Sequence, residues 1–64
     1  MELLSKEPII TILESKGRVL DKYEIVRLQQ MVDFENAHRR AFMNKGYWIH
    51  TEKKLIEIFT IKSE

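Results

Sequence analysis

The chain contains no cysteine, which excludes a disulfide framework and any thiolate metal site. It has no apolar run near the ~18 residues that a membrane span needs. Its N-terminus also lacks the basic start and apolar stretch of a secretory signal. We therefore expect a cytoplasmic protein with no membrane partner.

Motifs for catalysis are also missing. His38 and His50 are the only imidazoles, and they lack the i, i+4 spacing and close carboxylates typical of metal or acid–base sites. No phosphate-binding glycine loop or serine elbow is present. We expect no enzyme activity, no metal, no cofactor and no small-molecule substrate.

What remains is a short chain with a globular composition. Its 64 residues are 44% hydrophobic and 33% charged, with two glycines and one proline, values that indicate a folded chain rather than a disordered one. A chain of this length buries only about 60% of its unfolded surface. We expect one domain over residues 1–64 with one core, which a second copy could extend.

The N-terminal half carries helix signatures. Ser5 is a suitable N-cap for a first helix over 6–16, and Gly17 suits a left-handed residue after its end. The β-branched run 9–13 leaves a strand as the alternative. Asp21 and Glu24 have the spacing of a capping box, which predicts a second helix from about residue 22.

The extent of that second helix has two interpretations. The apolar stripe Ile25, Leu28 and Val32 is followed by an out-of-phase stripe of Phe34, Ala37, Ala41 and Phe42. With Asp33 as a fresh N-cap, this predicts a break near 32–34 and a third helix over 34–45. Alternatively, since no glycine or proline interrupts 18–45, a single helix of roughly 24 residues satisfies the same propensities.

The C-terminal residues favour strands. Residues 47–50 are aromatic and β-branched, 51–54 are polar, and 55–61 form a second strand-like run that is apolar on both faces. One of those faces would need cover from a partner or a second copy. The predicted fold is mostly α with a C-terminal β-hairpin, an α+β arrangement of three helices plus a wing.

This order of elements resembles the winged helix-turn-helix family. The resemblance is carried by Ile9 to Leu20, the capped segment Asp21 to Met31, and Asn44 to Ile49 at the end of the predicted third helix. It implies double-stranded DNA as the partner, with the third helix in the major groove. The chain departs from the family at Glu35 and Arg39, which occupy positions where the family has aliphatic residues, so either the helix is rotated or the fold assignment fails.

The rotated helix turns the phenylalanines 34 and 42 inward and exposes candidate DNA-reading residues. Asparagine pairs with adenine and arginine with guanine, whereas lysines contact phosphates. The alternative is that these cations only solvate the surface. The candidate DNA-binding set comprises Asn36, Arg39, Arg40, Met43, Lys45, and Lys53 with Lys54 at the wing tip.

Two functions follow from these patterns. The first is a homodimeric DNA-binding regulator of transcription or recombination, of the kind found among small viral or phage proteins. The second is a protein-interaction module, such as a phage-type inhibitor or adaptor. The second is favoured by the net charge of only +1 and by the two-sided apolar run 55–61.

Overall fold

A computed structural model describes residues 3–61, apart from the side chain of Lys45. It contains helices α1 (Lys6–Ser15), α2 (Lys22–Ala41) and α3 (Glu52–Thr60), with a short 3₁₀ turn at Lys45–Tyr47. Residues 3–61 contain no strand. The predicted α+β class is therefore wrong, and this part of the chain is all helical.

Helix α1 begins and ends where its local residues predict. Ser5 is the N-cap, and Gly17 follows the helix with a φ of 85°. The Gly17 N–H donates to the Glu14 carbonyl at 2.9 Å and the Arg18 N–H to the Leu13 carbonyl at 2.8 Å. This pair of bonds is a Schellman motif. The motif needs one residue in the left-handed backbone conformation, which glycine adopts without steric cost.

Helix α2 begins at the predicted capping box. The Glu24 N–H donates to Asp21 Oδ1 at 2.8 Å, and the Asp21 N–H donates to Glu24 Oε1 at 3.1 Å. The predicted break at 32–34 is wrong, because α2 runs uninterrupted to Ala41. The single-helix alternative is confirmed in its continuity, although α2 has 20 residues rather than the roughly 24 that were expected.

The helix stays continuous because its buried line does not stop at Val32. It continues through Glu35 and Arg39, which follow Leu28 and Val32 at helical spacing and are also buried. The apolar periodicity of the sequence indicates a buried stripe only as far as Val32, because the next two buried residues are charged. The apparent restart at Phe34 belongs to the opposite side of the same helix.

The predicted hairpin is replaced by an irregular segment over 48–50 and a helix. Thr51 is the N-cap of α3, and its hydroxyl accepts from the Lys54 N–H at 3.1 Å. A strand over 55–61 would place apolar side chains on both faces. A helix instead directs Leu55, Ile56 and Phe59 to one buried side.

The core lies where the three helices meet. Helix α1 packs against both α3 and α2. The buried apolar side chains are Leu4, Ile9, Leu13, Leu20, Leu28, Val32, Leu55, Ile56 and Phe59. Within residues 3–61, this arrangement leaves one whole side of the long helix α2 exposed.

Candidate protein-interaction surface

A buried ion pair connects α2 to the segment that precedes α3. Glu35 is 0% exposed and Arg39 is 3% exposed, and Arg39 Nε donates to Glu35 Oε2 at 3.0 Å. Arg39 Nη2 donates to the His50 carbonyl at 2.7 Å, while the His50 N–H donates to Glu35 Oε1 at 3.0 Å. Both backbone groups of His50 are therefore satisfied by the two side chains.

The same pair positions Trp48. The guanidinium carbon of Arg39 lies 4.0 Å from the centre of the indole ring, a cation–π geometry. Indole Nε1 donates to the Phe42 carbonyl at 3.2 Å. We call Glu35, Arg39, Trp48 and His50 the ion-pair network. It fixes residues 48–50, which form neither helix nor strand, beside the C-terminal end of α2.

Next to this network lies a group of exposed aromatic and apolar side chains. The Phe42 ring lies 4.9 Å from His38 and 5.6 Å from Tyr47, centre to centre. His38 Nε2 lies 2.6 Å from the Tyr47 carbonyl, to which it donates in the matching tautomer. Phe42, Met43 and Tyr47 are all exposed. We call these three residues the aromatic corner.

A second exposed group runs along α2 itself. Because successive helical residues turn by about 100°, Tyr23, Gln30, Phe34, Ala37 and Ala41 project within about 60° of one another, opposite the buried line. All five are exposed, with Tyr23 at 79% and Phe34 at 61%. We call these five residues the outer face of α2. None of them carries a charge.

A shallow groove of about 540 Å³ lies near the start of α2. Its charged groups are partly engaged with one another, because Arg18 pairs with Glu24 and donates from Nε to the Phe59 carbonyl at 3.0 Å. These bonds tie the α1–α2 connection to α3. The groove is lined by Arg18, Asp21, Tyr23, Glu24, Arg27, Ile58, Phe59 and Ile61.

The structure separates the residues of the predicted DNA-binding set. Arg39 is buried in the ion-pair network, and Asn36 is engaged with the backbone of Leu4. The Asn36 side chain accepts from the Leu4 N–H at 2.7 Å and donates to the Leu4 carbonyl at 3.0 Å. Arg40 and Met43 are exposed.

The remaining three lysines lie elsewhere. Lys53 and Lys54 are exposed in the first turn of α3 rather than at a wing tip. The side chain of Lys45 lies outside the described residues. Arg40 on α2 and the α3 lysines therefore belong to two separate helices.

The predicted rotation of the helix is wrong. Phe34 and Phe42 are exposed rather than inward, and Glu35 and Arg39 are inward rather than exposed. The buried side of α2 is thus the one that carries Leu28 and Val32, with a charged pair in line with them. A glutamate four residues before an arginine is a favourable helical pair, and its phase with Leu28 and Val32 could have indicated burial.

Two other classes of site find no support in residues 3–61. No group of three or more histidine, aspartate or glutamate side chains there could hold a metal ion. Among the described helices, none combines the length and apolar character needed to cross a bilayer.

Comparison of the chain with protein-family models, with curated proteins and with solved structures finds no match. The functional proposal therefore depends on the surface of this chain alone.

Proposed function

We propose that this chain is a protein-interaction module that binds through the outer face of α2 and the adjacent aromatic corner. The observation that carries the proposal is the exposure of Tyr23, Phe34, Phe42 and Tyr47 on a chain whose small core lies elsewhere. Each of these four aromatic side chains is about half exposed or more, and each therefore offers about 100 to 200 Å² of solvent-accessible surface. Apolar patches larger than a few hundred Å² are rare on monomers and mark binding surfaces.

The ion-pair network supports this function by fixing the corner. Aromatic residues contribute most to binding when they are already held in the bound arrangement, because less conformational freedom is then lost. Trp48 is bonded to the Phe42 carbonyl, and His38 is bonded to the Tyr47 carbonyl. The two exposed rings are thus attached to backbone that side chains hold in place.

The experiment compares four immobilised proteins as baits. We expect Phe34→Ser and Tyr47→Ser to lose a partner that the unaltered chain and Val19→Ser retain. Val19 is the matched control because it is an exposed apolar residue in the α1–α2 connection. Far-UV circular dichroism checks that each variant is folded.

A retained protein is then purified and titrated calorimetrically against the same four chains. Loss of one buried aromatic anchor should weaken binding by about 2 kcal/mol or more, roughly thirtyfold. Equal affinity for the unaltered chain and both aromatic variants would contradict the proposal.

Binding to duplex DNA is the second candidate, and the observation in its favour is the exposure of Arg40, Lys53 and Lys54. Its test is fluorescence anisotropy of a labelled duplex at low and moderate salt. If the chain binds DNA, the double variant Lys53→Ala/Lys54→Ala should bind the duplex more weakly. The slope of log K against log salt should also become less negative by about 0.9 for each phosphate contact that is lost. The aromatic variants should leave duplex affinity unchanged.

A further inference from the structure

The outer face of α2 carries large and small side chains in an order that is complementary to the same face of a second, antiparallel copy. We infer that two copies pair through antiparallel α2 helices, with Phe34 of each copy against Ala37 of the other. This inference rests on the proposed function, since it names the partner of the same surface. The occupant is a second copy of this chain.

The first support is the match of large and small side chains. In this register the residue numbers of facing positions sum to 71, so Phe34 faces Ala37 and Gln30 faces Ala41, each pair occurring twice. Helices pack well when large residues on one face small residues on the other. A parallel pair would instead set Phe34 against Phe34 and Ala37 against Ala37, leaving gaps beside the rings.

The second support is charge complementarity at the edge of the contact. Asp33 and Arg40 are seven residues apart, so they lie on the same edge of α2. Both are exposed. In an antiparallel pair like edges meet, and this register brings Asp33 of one copy beside Arg40 of the other at two symmetric places.

The charges also discriminate against the fully overlapped antiparallel register. Centring the pair near residue 32 would bring Asp33 against Asp33 of the second copy. Like charges directly opposed are unfavourable. The offset register removes this repulsion and replaces it with two ion pairs, while the seam positions Gln30, Phe34, Ala37 and Ala41 remain uncharged.

The size of the contact sets the expected strength. Residues 30–41 span about 18 Å of helix, and with their flanking side chains two copies bury on the order of 1,000 Å² in total. That area is at the low end of specific interfaces. We expect a dimer with a dissociation constant of about 100 µM.

Sedimentation equilibrium tests the pairing directly. At about 0.5 mM, several times the expected dissociation constant, about three quarters of the unaltered chains should be paired. The weight-average mass should then be roughly 1.7 times the 7.7 kDa of one chain. Asp33→Arg and Arg40→Asp should each weaken self-association about tenfold, since each converts two attractive pairs into repulsive ones. Glu14→Arg on α1 is the control for Asp33→Arg, because it makes the same change of charge away from α2. This control variant should dimerise as the unaltered chain does.

A mixing experiment tests the register. Asp33→Arg and Arg40→Asp chains, each associating about tenfold more weakly alone, should associate about as tightly as the unaltered chain when mixed, because all facing charges are then opposite. A chain carrying both substitutions should recover self-association. Circular dichroism confirms that each variant retains its helices.

Two results would overturn the inference. A monomeric unaltered chain at 0.5 mM, well above the expected ~100 µM, would remove the dimer, while capture of a different protein through Phe34 would leave the proposed function standing. A dimer that ignores both charge reversals would show that α2 pairs in another register. Failure of the proposed function appears separately, as a captured partner that binds Phe34→Ser and Tyr47→Ser as tightly as the unaltered chain.

Discussion

The buried ion pair of Glu35 and Arg39 provides the most direct test of what stabilises this fold. Removing one member of a buried pair leaves the other charge without its partner, which costs about 3 to 5 kcal/mol. A chain of this size has a total stability of about 3 to 10 kcal/mol. Glu35→Leu alone or Arg39→Met alone should therefore each remove about a third or more of that stability and lower the urea midpoint accordingly.

The double variant should be far less damaged than the sum of the single variants. Replacing both charges with apolar side chains removes the uncompensated charge and is often close to neutral. Here the backbone N–H and carbonyl of His50 also lose their side-chain partners, at about 1 to 3 kcal/mol if they stay buried. We expect a net loss of about 2 kcal/mol and, from single losses of about 3 kcal/mol or more each, a coupling energy of about 4 kcal/mol or more.

Urea unfolding followed by far-UV circular dichroism and by Trp48 fluorescence measures all four chains of the cycle. The fluorescence also reports whether residues 48–50 leave α2, because Trp48 stacks on Arg39. Asp33→Ala is the control, since it removes an exposed Gln29–Asp33 bond and should cost less than about 0.5 kcal/mol. Single-variant losses that simply add in the double variant would refute a coupled buried pair.

Two further predictions concern helix ends. Gly17→Ala should destabilise the chain by about 1 kcal/mol, because φ is 85° there. A synthetic chain with D-alanine at that position should gain about 0.4 to 1 kcal/mol, since a D residue favours positive φ as an L residue favours negative φ; equal melting temperatures for the two would contradict the left-handed assignment. Thr51→Ala should cost about 1 kcal/mol in thermal unfolding while Thr51→Ser costs little, and a similar loss in both would show that the hydroxyl does not cap α3.

The predicted orientations of four side chains in and just after α2 were wrong, whereas the predicted ends of α1 and the predicted start of α2 were confirmed. Arg39 and Asn36 were expected to face DNA, yet each is engaged inside the protein. Phe34 and Phe42 were expected in the core, yet they are exposed. All four errors have one origin, because the break at 32–34 placed the C-terminal half of α2 in the wrong rotational phase.

The sequence by itself determined the features that depend on neighbouring residues. The N-cap at Ser5, the left-handed Gly17 and the Asp21–Glu24 capping box all lie where they were predicted. The hydrogen bonds at Gly17 and in the capping box close within a few residues, so local chemistry is sufficient to specify them. Ser5 occupies the N-cap with extended backbone and without a side-chain capping bond.

Only the tertiary structure decided which side of α2 is buried and whether 55–60 is a helix. Glu35 and Arg39 can enter the core because the backbone of His50, remote in sequence from Glu35, satisfies their polar atoms. The run 55–60 is apolar enough for either a strand or a helix. Packing against α1 favours the helix, because a helix places its large side chains on one side and leaves no second apolar face to cover.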